Sequence, residues 1–473
     1  MRAYLEEDAI DLLRAAAERH RGHAALSQVY GLVARNLGDM TTACAALSRA
    51  HQRAPADALI AHGLARARIE AGLPAIDAYQ RALQLAPADG AVILGFAAAR
   101  FAERDVDGAI DNIAAIVERQ PLWLDGHATL ARLRGMAARD DDMGSYRRAL
   151  AQMPQAAALW QAWLATLVAA ERFTEIPAVI AAARQAAPAT PGLDLYEAVA
   201  ADETGDIDRA GGIFDRLPYD DNIAVIIRKV RSLLRRDRIV EAAALAERST
   251  TLAGGNGLWP YLALAWRLLG DPRWAWLEGD AAFVQVHDLG DTIGDLEALA
   301  ARLRSLHIAS AQPLDQSVRG GTQTDGALFL RIDPEIRRLR SAVDKAVAAY
   351  IAALPPPDPT HPLLGVRRRP VRFAGSWSVR LTDGGHHTDH VHGQGWISSA
   401  FYVALPPGVG ADDDAGWLTL GASRALLPDL QPLRRIEPKP GRLVLFPSTM
   451  WHGTNRFAAG ERLTVAFDMA RLI

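Results

Sequence analysis

Gly441-Arg442-Leu443-Val444-Leu445-Phe446-Pro447-Ser448-Thr449-Met450-Trp451-His452, followed by Arg462-Leu463-Thr464, is the stretch on which the fold of the C-terminal third turns. The turn signal Lys439-Pro440-Gly441 opens a short apolar run that reads as a buried strand and leads to a histidine. Some sixty residues earlier stands His390-Val391-His392. On an extended segment, residues i and i+2 point to the same side, so His390 and His392 share a face and a third imidazole from a distant strand, His452, can close a metal site. Arg462 adds a cation ten residues further on, and Thr464 shares its face of the strand.

Working outward, short alternating segments dominate from Val371 onward: Ser376–Leu381, Ile397–Leu405, Trp417–Leu420, Arg442–Phe446 and Leu463–Asp468. Asp383-Gly384-Gly385 and Pro406-Pro407-Gly408 are read as turns between them. Such strands imply a sandwich or jelly roll. Before them, Asp333-Pro334-Glu335 opens a helix with the apolar stripe Ile336, Leu339, Val343, Val347 and Tyr350, and Leu354-Pro355 stops it. Gln316 to Thr324 reads as a polar loop.

The first two-thirds is a repeat. Pro55, Pro87, Pro121, Pro154 and Pro188 are spaced by 32, 34, 33 and 34 residues. Ala50, Ala82, Ala149 and Ala183 stand five residues before a proline, and Leu47, Tyr79, Ile113, Tyr146 and Ile180 eight before. Small residues let helices approach, larger ones fill the gap, and proline ends the second helix of each pair. This pattern resembles the tetratricopeptide repeat over roughly residues 20 to 220, with weaker continuation to about Leu299. A stacked array of this kind offers a concave face to an extended peptide or a partner.

At 473 residues the chain exceeds one ordinary core, and the expected division is a helical repeat domain at 1–300, a loop and supporting helix at 301–370, and a β-domain at 371–473. A net charge of -3 gives no reason to expect nucleic acid or a membrane surface as a partner. The single cysteine, Cys44, excludes an internal disulfide, and with no signal peptide or membrane span in view a cytoplasmic location is expected.

His390-Val391-His392 through Pro406, the Gly441–Pro447 strand, His452 and Arg462 together resemble the iron(II)- and 2-oxoglutarate-dependent oxygenases, and more closely the bacterial members that carry N-terminal tetratricopeptide repeats. Prolyl and aspartyl/asparaginyl hydroxylases share that plan. The resemblance covers roughly residues 310 to 473 and implies a double-stranded β-helix behind an α-solenoid, with iron(II), 2-oxoglutarate and O2 used to hydroxylate a C–H bond. It makes His390 and His452 iron ligands and pairs Arg462, helped by Thr464 and more weakly by Ser378 and Tyr402, with the far carboxylate of 2-oxoglutarate. The substrate is expected to be a peptide or protein held by the array, or else a small metabolite.

One position departs from the family: the usual His-x-Asp is His390-x-His392 here. Three assignments stay open. His392 ligates; or it lies behind the ligands with water completing the sphere; or the pair is His387-Thr388-Asp389, with Asp389 as ligand. Two other readings also remain, a noncatalytic scaffold with a degenerate jelly roll and a cupin-like metal enzyme independent of 2-oxoglutarate. Asp412-Asp413-Asp414 reads as a solvated loop, and Arg367-Arg368-Arg369 as a charged surface run.

Overall fold

The structure is a computed structural model that describes residues 5–471 except 219–220, 315, 408 and 410–413. Asp412 and Asp413 thus lie outside the described residues. Among those described, sixteen α-helices, α1 (Leu5–Arg19) to α16 (Trp259–Leu269), form the N-terminal array. The five phased prolines each sit two residues beyond the second helix of a pair, ending at Arg53, Leu85, Arg119, Gln152 and Ala186. The phased residues between them, Ala43, Leu47, Ala50, Tyr79, Ala82, Ile113, Tyr146 and Ile180 among them, are buried. Close approach explains Gly31, where a Cβ would lie 2.7 Å from Leu47 Cγ; Gly63, in the same phase, would meet nothing nearer than 3.6 Å.

A second periodic signal escaped the sequence reading. Gly38, Gly72, Arg104, Ala138, Glu171, Gly205, Asp237 and Gly270 all have positive φ, at intervals of 32 to 34 residues. Each ends the first helix of a pair in the left-handed conformation that lets the chain reverse, although only four are glycine and the others carry a cost of about 1 kcal/mol. An aspartate after the turn often caps the next helix, as Asp39 does for Thr42 N and Asp105 for Gly108 N. The repeat therefore runs regularly to Gly270.

It does not continue to Leu299. β1 (Gln285–Asp288) pairs with β7 (Arg442–Pro447), and Phe283, Ile293, Leu299 and Leu303 are buried in the core of the second body. The expected boundary at 300 thus falls inside the β-domain; the sequence could not show this, since one four-residue strand has no period to read.

The strands of that domain are β2 (Val318–Gln323), β3 (Phe373–His387), β4 (Gly395–Ala404), β5 (Leu418–Leu420), β6 (Arg434–Ile436), β8 (His452–Thr454) and β9 (Glu461–Ala470), besides β1 and β7. Six form an antiparallel sheet in the order β1-β7-β4-β9-β3-β2, and β6-β5-β8 form a smaller antiparallel one. Alternation divides the large sheet. Leu443, Leu445, Phe401, Leu463, Val465 and Phe467 face the helices α18 (Leu296–Leu306) and α19 (Pro334–Ala353), whose predicted stripe from Ile336 to Tyr350 is buried. Burying each such side chain contributes roughly 1.5–3 kcal/mol. Tyr402, Val444 and Phe446 turn to the other side with Leu418, Leu420 and Met450.

Three local expectations need correction. Gln316–Thr324 contains β2, because its backbone pairs with β3 although its side chains show no alternation. Asp383-Gly384-Gly385 does not separate strands but forms a bulge in β3, the register passing from Arg319↔His386 to Gly321↔Leu381. Glycine is required there, since a Cβ on Gly385 would lie 2.5 Å from Gly320 O. Arg368 is no solvated charge: it closes the end of α19, donating to the carbonyls of Ile351, Leu354 and Pro355.

The left-handed turns of the array dock onto the β-domain one after another. Arg340 donates to Gly38 O at 3.0 Å, Ile332 N to Ala71 O at 3.1 Å, Arg104 to Ser305 O at 2.9 Å, and Ser310 N to Met136 O at 2.8 Å. Glu171 pairs with Arg319, and Arg267 donates to Gly421 O and to Gln431 O. At the other end, Arg372 binds Glu6 and Glu7 of α1. Along this edge the array is therefore covered by the chain's own second domain.

Candidate metal centre

β7 leads through Ser448 to Trp451 and then into β8, which begins at His452. The segment after the β3 bulge crosses it as a single antiparallel bridge: His390 N donates to His452 O at 2.9 Å and His452 N to His390 O at 3.0 Å. His392 N donates to Ser448 O at 3.0 Å. Backbone pairing thus fixes all three residues, and their side chains converge, with one ligand nitrogen of each within 4.8 Å of the others. Ring centroids lie 4.2 Å apart for His390 and His452, and 5.1 Å for His392 with either.

Each imidazole has its Nδ1 accounted for. That of His390 donates to Thr388 O at 2.8 Å and that of His452 to Met450 O at 3.0 Å. His392 Nδ1 lies 2.6 Å from Asp468 Oδ2, and Asp468 Oδ1 accepts from Ser398 Oγ at 2.6 Å. A donor proton on Nδ1 leaves the Nε2 lone pair for a metal, and the partner fixes the ring's orientation. Burial lowers the pKa of His390 to about 4 and that of His452 well below the usual imidazole value, each helped by the neighbouring histidines, so both are neutral and can ligate.

Arg462 and Thr464 extend from β9 on the face that carries these histidines, and both are buried and line the same cavity of about 570 Å³. The Arg462 guanidinium lies 5.1 Å from the centre of the Tyr402 ring. The Tyr402 hydroxyl is near enough to favour the cation, yet neither it nor Arg462 Nε completes a hydrogen bond within the protein. A fully buried arginine with no carboxylate partner is costly unless a ligand supplies one. Its pKa is pushed down by burial, the direction expected of a cation awaiting its counter-ion.

Two expected residues do not join the site. Asp389, the alternative ligand, is held by Arg424, whose backbone N, Nε and Nη2 donate to its carboxylate at 2.7, 2.8 and 2.5 Å. It has the opposite strand phase from His390, and its carboxylate is turned to Arg424 and not to the three converging histidines. Ser378 likewise faces the wrong way: it pairs with Val465, on the helix side of the sheet, and its hydroxyl donates to Thr464 O at 3.0 Å beside His307. Its neighbour Trp377 faces the cavity, 5.7 Å from His392. Counting one residue along β3 would have found it.

The sequence reading missed Asp468 and Ser398, and it missed that the array builds part of the site. Trp451, just before His452, is buried among α14 (Ile223–Arg235), α15 (Ile239–Ser249) and α16, where its Nε1 donates to Pro260 O at 3.1 Å. Val391, between the other two histidines, packs on the same cluster. Along both segments the histidines point inward and the intervening residues point into the helices. Phe173, Ile227, Arg228, Arg231 and Tyr261 of the array line the cavity opposite the histidines.

Residues 375–468 match the family model described as "Putative 2OG-Fe(II) oxygenase". The matched segment runs from β3 into β9 and includes all three histidines and Arg462. None of the curated proteins matches the chain. Among solved structures, a Pseudomonas putida prolyl-4-hydroxylase is similar at 19% identity, covering 42% of this chain and 99% of its own, with a TM-score of 0.29. HygX from Streptomyces hygroscopicus, with nickel, 2-oxoglutarate and hygromycin B bound, is similar at 14% identity over 40% of this chain and 84% of its own, TM-score 0.30. Yeast Tom70 is similar at 14% identity over 76% of this chain and 61% of its own, TM-score 0.34. The family's cofactors, iron(II) and 2-oxoglutarate, fit the donor set: three converging imidazoles for the metal and an uncompensated buried guanidinium for a carboxylate. Among the described residues no helix is long and apolar enough to cross a membrane.

Proposed function

We propose that this protein is an iron(II)- and 2-oxoglutarate-dependent dioxygenase that hydroxylates a C–H bond of a substrate admitted between the helical array and the β-domain. The observation that carries the reading is the convergence of His390, His392 and His452, each with Nδ1 engaged by the protein, in one cavity with Arg462, which has no carboxylate partner. Iron(II), 2-oxoglutarate and O2 together supply the oxidising power, giving succinate and CO2 as the substrate C–H becomes C–OH.

The chain's own residues do the rest. His390, His392 and His452 hold the metal through Nε2, and Thr388 O, Met450 O and Asp468 keep the rings from turning. Arg462 takes the far carboxylate of 2-oxoglutarate in a planar fork, with the Tyr402 hydroxyl and Thr464 beside it. Phe446, whose ring centre lies 4.9 Å from that of His452, and Trp377 exclude water around the ligands. Because Phe173, Ile227 and Tyr261 line this cavity, a substrate that reaches it also meets the array. A peptide substrate would have to place one side chain there; a small molecule would fit whole, since 570 Å³ lies in the ordinary range for ligand pockets.

Anaerobic titration with iron(II), with and without 2-oxoglutarate, tests the proposal through the weak visible charge-transfer band of the chelate. The band is expected in the native protein and not in His452→Ala, with succinate formed in air. No band and no succinate favours a scaffold whose jelly roll has lost catalysis. Turnover that survives Arg462→Ala favours a metal enzyme independent of 2-oxoglutarate.

A further inference from the structure

The wall opposite the histidines is charged, and its charges do not cancel. Glu203, at the end of α12 (Leu193–Thr204), accepts from Arg228 Nη1 at 3.0 Å, from Arg231 Nη2 at 2.6 Å and from Arg235 Nη2 at 2.6 Å. Arg235 also pairs with Asp202. Three guanidinium groups thus share two carboxylates, leaving one positive charge on a largely buried cluster. The other acidic residues lining the cavity have partners of their own: Glu171 with Arg319 and Asp389 with Arg424. Besides Arg462, the Arg228–Arg231 pair is therefore where the cavity carries uncompensated positive charge.

Arg228, Arg231 and Glu203 all line the cavity, and Arg231 Nε is shielded from solvent with no hydrogen-bond partner. Buried donors of this kind are normally satisfied. Tyr261 lies beside Arg231 and joins this wall to the metal centre, its ring 5.5 Å edge-on from Trp451, the residue before His452. The cavity also has apolar lining, with Phe173, Ile227 and Val168 on the array side and Leu418 and Phe446 on the other.

From this we infer that Arg228 and Arg231 form a substrate-anchoring site for a small, partly apolar molecule bearing one anionic oxygen group, carboxylate or phosphate. The inference rests on the oxygenase reading above and names its substrate class. A guanidinium fork pairs with either group. The anion settles against the array, its apolar part spans the cavity, and the bond to be hydroxylated faces the histidines. Glu203 is a positioning residue that holds both arginines toward the cavity while leaving them a net charge.

The test uses the full chain loaded anaerobically with iron(II) and saturating 2-oxoglutarate, so that the metal and Arg462 are already engaged. Hexanoate, hexyl phosphate and hexanamide are then titrated by calorimetry. One or both anions are expected to bind at least tenfold more tightly than the amide, and the better one identifies the group. Arg228→Met/Arg231→Met abolishes that preference while binding of 2-oxoglutarate, followed by the charge-transfer band, is unchanged. Glu203→Gln, which raises the cluster to two net charges, tightens the anion severalfold and decides the matter should the double variant not fold. An amide that binds as well as both anions, or a preference that survives Arg228→Met/Arg231→Met or fails to rise in Glu203→Gln, overturns the inference. Failure of the oxygenase reading is separately visible, since the charge-transfer band would then be missing before any probe is added.

Discussion

Replacing Trp451 by alanine measures how far the array belongs to the metal centre. The side chain is 3% exposed, packs edge-on against Tyr261 at 5.5 Å, donates to Pro260 O at 3.1 Å, and precedes His452 in the chain. Truncating a buried tryptophan costs about 3–5 kcal/mol through lost burial and the cavity left behind, and the orphaned Pro260 carbonyl adds about 1 kcal/mol. Trp451→Phe keeps most of the packing and loses the hydrogen bond, so about 1–2 kcal/mol is expected. The cost should reach the metal too, because the backbone that presents His452 is pinned on one side by the bridge to His390 and on the other by this indole. Loosening a group behind a ligand typically weakens metal binding about 10- to 100-fold. Denaturant melts give the stability change and anaerobic iron(II) titration of the folded variant gives the affinity. A Trp451→Ala protein that melts lower but binds iron(II) as tightly as the native chain would refute the coupling and reduce the array to an appendage.

Arg462→Met, which removes the fork and the charge while keeping the bulk, should weaken 2-oxoglutarate by about 10- to 100-fold, the 1.5–3 kcal/mol of a charged hydrogen bond, with iron(II) affinity nearly unchanged; the charge-transfer titration separates the two. His392→Asp restores the family's usual pattern but sets a carboxylate where the ring now lies 2.6 Å from Asp468, so iron(II) should bind more weakly than in the native chain, and Asp468→Asn in the same protein should recover it; no recovery would mean that like charge is not the obstacle. Glu278 is buried, and desolvation raises its pKa to about 8. A raised carboxyl pKa means that the folded state holds the proton more tightly, so the contribution is complete below the unfolded value near 4.3 and is lost as pH rises toward 8. Glu278→Gln should therefore come close to the native chain at pH 4 and exceed it at pH 9, by an amount on the order of 3–5 kcal/mol, which denaturant melts at the two pH values compare.

The legible parts of the molecule were those with a period or a local stop signal. Proline spacing located the second helix of each repeat, the stripe from Ile336 to Tyr350 gave α19, and the i, i+2 rule placed His390 and His392 together. Parity decided success at finer scale: Arg462 and Thr464 are even-numbered residues of β9 and face the cavity, whereas Ser378, one residue from Trp377, does not. What stayed hidden depends on contacts with no local signature. β1 is recognisable only from its partner β7, and the pairing of Arg372 with Glu6 joins residues 366 apart. Asp468 looked like the end of a strand because nothing in its neighbourhood announces that His392 will arrive beside it. The left-handed turns at Arg104, Ala138 and Glu171 escaped for a different reason, since these residue types are not those that favour the conformation.

The exchange of aspartate for His392 acquires a physical explanation once Asp468 is in view. A carboxylate in the usual second position orients itself on the metal and offsets part of its charge; an imidazole there supplies a lone pair but no charge. With Asp468 Oδ2 2.6 Å from His392 Nδ1, the negative charge has been moved one imidazole outward, not removed. Polarisation of the Nδ1–H bond makes Nε2 a stronger donor, which compensates in part for the lost anion. Ser398 holds the other carboxylate oxygen at 2.6 Å, so the charge is fixed in place. The residue that would complete a bound metal's electrostatics therefore lies on β9, six positions beyond the arginine proposed to take the cosubstrate, and one strand would order both ends of the site.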